Sequence, residues 1–106
     1  MINGCEVNVV FAGDATKALP LIATELEKLG YAAKSQDASE LQMAFAGKWI
    51  TADPNKVKHT LTVAPTGTHL SFKFGTGLIA SVWTDSDLEW AQARANEVVT
   101  AASASL

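Results

Sequence analysis

The stretch from Lys56 to Gly75, KVKHTLTVAPTGTHLSFKFG, decides the fold. In its first half Val57, His59, Leu61 and Val63 alternate with Lys56, Lys58, Thr60 and Thr62. In its second half Leu70, Phe72 and Phe74 alternate with His69, Ser71 and Lys73. Successive side chains of a strand point to opposite faces, so the two halves read as strands, Lys56–Ala64 and Thr68–Gly75. Pro65-Thr66-Gly67 between them is turn chemistry. An even-length loop at 64–67 pairs Leu61 with Leu70 and His59 with Phe72, or shifts both by two. Either register keeps the apolar side chains on one face. Such alternation indicates an antiparallel sheet with one buried and one wet face.

The same reading extends outward. Upstream, Glu40–Ala52 carries Leu41, Met43, Phe45 and Trp49 on one parity, and an Asp53-Pro54-Asn55 turn sets Trp49 across from His59. Tyr31–Gln36 reads as a short strand, and Cys5–Ala12 as another with Val7, Val9 and Phe11 at period two. Between them a helix is expected from about Thr16 to Leu29, with Leu19, Ile22, Ala23, Leu26 and Leu29 on one stripe and Gly30 just past its end. Proline in a helix interior costs about 3 kcal/mol, so Pro20 predicts a late or irregular start. After the last strand, Leu78–Trp83 reads either as its extension or as a bridging turn. Thr84, Asp85 and Ser86 are helix-capping types, and Ser86 with Glu89 matches a capping box. Leu88, Ala91, Ala95, Val98, Val99 and Ala102 form the buried stripe of this closing helix. The order β-α-β-β-β-β-α predicts a single α+β domain over residues 1–106. It has an antiparallel sheet of about five strands with two helices on one face, a TATA-binding-protein-like topology.

Composition narrows the function classes. A chain of 106 residues buries roughly 60–65% of its unfolded surface, enough for a core without staples. Cys5 is the only cysteine, which excludes an intrachain disulfide and a paired-cysteine metal site. No apolar run approaches the ~20 residues that span a bilayer. The opening MINGCEVN lacks the features of a signal peptide, so a cytoplasmic location is expected. The net charge of −3 is unevenly spread: residues 1–47 carry −3, residues 48–83 carry +3, and residues 84–106 carry −3.

Several motifs invite chemistry. Gly75-Thr76-Gly77-Leu78-Ile79-Ala80 fits a dinucleotide fingerprint, but the residues after Ala80 are too few for the βαβ unit it serves. It therefore reads as a bulge or tight connection. Asp85, Asp87 and Glu89 have calcium-loop spacing without the loop glycine or the late glutamate, and serve a helix start instead. His59 lies on the apolar parity with no carboxylate or second histidine beside it, so a core histidine with a hydrogen-bond partner is the first expectation. Trp49, His59, Phe72, Phe74 and Trp83 would line an apolar site with a polar handle between sheet and helices. Lys34, Lys48, Lys56, Lys58 and Lys73 share the wet parity, five of the seven lysines. They suit an anionic surface or an acidic protein. One arginine, an acidic balance and no stacking aromatics on that parity argue against nucleic acid.

The residues LEKLGY (26–31), MAFAGKWI (43–50), KHTLTV (58–63), Gly75-Thr76-Gly77-Leu78 and Trp83 together resemble a class of short bacterial domains of unknown function. The resemblance covers most of the chain through motifs that are structural. It implies a β-α-β4-α fold, sometimes appended to membrane-associated or regulatory segments, and brings no catalytic residue. The expected function is a non-catalytic binding or interaction module without a cofactor. It would take an anionic partner on the lysine face or a small apolar ligand between sheet and helices. The alternative is a small-molecule enzyme using His59 in a sheet–helix pocket. An edge strand can pair with its copy, so monomer and homodimer both stay open.

Overall fold

Alternation and helical periodicity build the elements in the expected order. A computed structural model describes residues 4–11, 13–37, 39–48, 56–75 and 85–105. The strands are β1 (Gly4–Val10), β2 (Tyr31–Gln36), β3 (Leu41–Phe45), β4 (His59–Thr66) and β5 (His69–Gly75). The helices are α1 (Ala15–Lys28) and α2 (Asp85–Ser103). All pairings are antiparallel, in the spatial order β1-β5-β4-β3-β2. The first two strands thus occupy opposite edges, and α1 carries the chain across the sheet between them. It packs on β2, β3 and β4, while α2 packs on β1 and on α1. Both helices share one apolar core with the inward side chains of the sheet, the two-layer α+β arrangement expected. Among the described residues, no helix is long and apolar enough to cross a membrane.

The β3–β4 register differs from the expected one by four residues, and the β4–β5 register differs by four from the first expected pairing and by two from its shifted alternative. Leu61 pairs with Phe74, not Leu70, and His59 pairs across to Phe45 in the position expected for Trp49. The tight turn falls at Gly67-Thr68, where Gly67 adopts a positive φ of 61°, so β4 runs on through Pro65 and Thr66. Pro65 is tolerated there because β3 ends its pairing at Leu41↔Val63, leaving the proline with a strand on one side only. Shifts of two or four keep parity, so the apolar side chains of the hairpin stay buried as expected while their neighbours change. Ser71, expected on the wet face, is buried as well, its hydroxyl bonded to Glu6.

Helix α1 starts at Ala15, capped by Asp14, whose Oδ1 accepts from the Thr16 backbone N–H at 3.0 Å. It therefore starts neither late nor after Pro20. Pro20 and Thr16 are both exposed, so water can reach the carbonyl that the proline leaves without its amide. Helix α2 begins at Asp85, placing Ser86 inside the first turn and not at the cap. Its stripe holds from Ala91 to Ala102, but Leu88 is 43% exposed and Trp90 takes the inward role near the amino end. The expected turn at 53–55, the Gly-Thr-Gly run beyond Gly75, Leu78–Trp83 and Thr84 lie outside the described residues.

Candidate functional site

One end of the buried sheet face closes on aromatic rings. Tyr31, Phe45 and His59 stand in one cross-strand row on β2, β3 and β4. Phe45 stacks on His59 at 5.2 Å and 22°, and Tyr31 meets Phe45 at 5.4 Å. Phe74 on β5 lies 6.0 Å from His59, and Trp90 on α2 meets His59 edge-on at 5.8 Å. Arg94, one helical turn beyond Trp90, sits over its ring at 5.1 Å. Of the residues expected to line a pocket, the structure brings His59 and Phe74 together. Phe72 is buried two inward rows from His59, between Val63 and Val7. Trp49 and Trp83 lie outside the described residues. Tyr31, Phe45, Trp90 and Arg94 complete the group, and sequence reasoning did not include them.

The partners of His59 fix its tautomer. The Val57 carbonyl can only accept, so Nδ1, 2.8 Å away, carries the proton and donates it. Nε2 of the neutral ring then accepts from the Tyr31 hydroxyl at 2.5 Å. Burial holds the His59 pKa below its ordinary value; the Val57 bond opposes this and the charge of Arg94 adds to it. Burial pushes the Tyr31 phenol up to about 12, against a downward pull from Arg94. At neutral pH the pair is an uncharged O–H···N hydrogen bond. A general base needs a lone pair within reach of a substrate. His59 has its lone pair engaged and is 3% exposed, an arrangement suited to structure.

Other reactive groups are likewise quiet. The Cys5 thiol is pushed up to about 11, chiefly by burial and further by Asp87, so it stays protonated at neutral pH. No three His, Cys, Asp or Glu side chains among the described residues are grouped to hold a metal ion. A shallow groove of about 220 Å³ between the helices is lined by Glu25, Lys28, Leu29, Glu97, Val98 and Ala101, none of them in the aromatic group.

The five lysines are less evenly spread over the wet face than their parity suggested. Lys73 lies opposite Glu6, with its Nζ 3.7 Å from Glu6 Oε2, and the same oxygen accepts from Ser71 Oγ at 2.7 Å. Lys34 is exposed at an irregularity of the edge strand β2, between Ala33 and Ser35. Lys48, Lys56 and Lys58 come together by a separate device. The Lys48 N–H donates to the Lys56 carbonyl at 2.7 Å, and the Lys58 N–H donates to the Lys48 carbonyl at 2.8 Å. This parallel bridge of Lys48 to buried Val57 clasps three exposed lysines at adjoining backbone positions.

Gly47 makes the clasp possible. A Cβ there would overlap the Lys56 carbonyl oxygen and stand 2.7 Å from the Val57 carbonyl carbon, both backbone atoms that cannot swing aside. Gly47→Ala is expected to cost on the order of 2 kcal/mol. Chemical denaturation measures the loss, and faster hydrogen exchange at the Lys48 and Lys58 amides locates it.

No protein-family model matches this sequence, and no curated protein matches it.

Proposed function

We propose that this chain is a non-catalytic interaction module that docks on an anionic partner, an acidic protein or an anionic surface, through Lys48, Lys56 and Lys58. Lys34, on the edge strand β2, and Lys73, paired with Glu6 on β5, stand outside the clasp. The observation that carries this reading is the clasp, which fixes the backbones of three exposed lysines at adjoining positions. The segment 48–83 is also the one net-positive part of an acidic chain. The enzyme alternative draws no support from His59, whose two ring nitrogens are both engaged inside the core. A small apolar ligand between the layers draws none from Phe72 and Phe74, whose rings are buried within the packed core. Placement in a bacterial cytoplasm belongs to the same proposal and rests on the sequence pattern alone.

Replacing Lys48, Lys56 and Lys58 together by glutamine tests the reading, with polyglutamate and phosphatidylserine-rich vesicles as probes. A lysine close to an anionic surface contributes about 1 kcal/mol, so the triple variant is expected to bind roughly a hundredfold more weakly. The wild-type affinity should also fall with added salt. Equal binding by both proteins, or none by the wild type to either probe, would remove the proposal.

A further inference from the structure

A side-chain hydrogen bond ties the clasp to the core. Val57 sits between Lys56 and Lys58, and its carbonyl accepts the Nδ1–H of His59 at 2.8 Å. His59 is in turn held by Phe45, Phe74, Trp90 and the Tyr31 hydroxyl. Those rings sit on β2, β3, β5 and α2, so all these elements bear on where the Val57 peptide lies. The flanking Lys56 carbonyl and Lys58 amide are the two groups that bridge to Lys48. We propose that His59 is the positioning residue of the lysine clasp, setting from inside the core where Lys48, Lys56 and Lys58 stand. The role of the clasp in anion docking rests on the function proposed above; its anchoring by His59 does not.

The two ring nitrogens have separate jobs, and this makes the proposal testable. The amide nitrogen of asparagine occupies the place of Nδ1, so His59→Asn keeps a donor for Val57 and loses the acceptor for Tyr31. Glutamine reaches the place of Nε2, so His59→Gln keeps the Tyr31 partner and loses the Val57 donor. Amide hydrogen exchange of the full chain reads the clasp directly. In His59→Gln the Lys48 and Lys58 amides are expected to exchange at least about tenfold faster than in His59→Asn, with Leu61 and Val63 in β4 as internal references. Tyr31→Phe removes only the outer partner and is expected to leave the two clasp amides protected as in the wild type.

Equal exchange at Lys48 and Lys58 in the two His59 variants would overturn the proposal. So would acceleration of these amides by Tyr31→Phe. If His59→Gln fails to fold, Tyr31→Phe and His59→Asn still decide, because both must retain clasp protection. These readouts are independent of polyanion binding by the wild type, so failure here and failure of the docking proposal are separately visible.

Discussion

His59→Ala is expected to lower stability by about 3–5 kcal/mol at neutral pH, the combined effect of a core cavity and two abandoned polar partners. The Val57 carbonyl would lose its donor and the buried Tyr31 hydroxyl its acceptor. The loss has a pH signature. Because the folded-state pKa of His59 lies below its ordinary value of 6.5, the unfolded chain takes up this proton more readily. Stability contributed by the neutral ring is therefore complete above about pH 6.5 and declines as the pH falls toward the folded-state pKa. Among the described residues that face His59 are Arg94 from α2, whose charge opposes an imidazolium, and Tyr31 from β2, whose phenol stays uncharged at neutral pH. Urea titrations of wild type and variant should thus converge as the pH is lowered. A gap that stays constant from pH 7.5 down to 5 would contradict the buried neutral ring.

Phe72→Ala is expected to cost a similar amount, about 3–5 kcal/mol, for a different reason. Phe72 is fully buried on β5, with Val7 beside it on β1 and Val63 on β4, so its removal leaves a cavity near the middle of the sheet. No titratable group takes part, and the loss should be the same at pH 5 and pH 7.5. The contrast between the two variants separates packing from hydrogen-bonded anchoring. Together they take a large share of the roughly 5–15 kcal/mol typical of such a domain. A cost below about 1 kcal/mol for Phe72→Ala would refute its place in the core.

What the sequence made legible follows from parity. Alternation at Val57–Val63 and Leu70–Phe74 announced which side chains go inward, and Leu61, Val63, Leu70, Phe72 and Phe74 are all buried. Register was hidden because shifts of two or four leave parity untouched, so the pairing of His59 with Phe45 and of Leu61 with Phe74 had no signature in the alternation. Pro65 looked like a turn residue because proline usually is one. Only the shortness of β3 gives it a place in a strand. The Tyr31–His59 bond joins residues 28 positions apart and depends on that hidden register. A tyrosine directly after the helix-ending Gly30, in line with an inward row, was its one visible trace. The clasp was illegible for the same reason: periodicity puts Lys56 and Lys58 on one face of a strand, while the bridge to Lys48 depends on a close approach that only Gly47 permits.

The claim on which the rest depends is that His59 serves the fold with both nitrogens. Side-chain nitrogen NMR of His59 through a pH titration tests it most directly. The expected result is a neutral ring protonated at Nδ1, with a midpoint below the ordinary 6.5 and a Tyr31 hydroxyl proton shifted by its bond to Nε2. A ring protonated at Nε2, or one titrating at or above 6.5, would contradict a buried neutral ring that donates from Nδ1 and accepts at Nε2. His59 would then return as a candidate base.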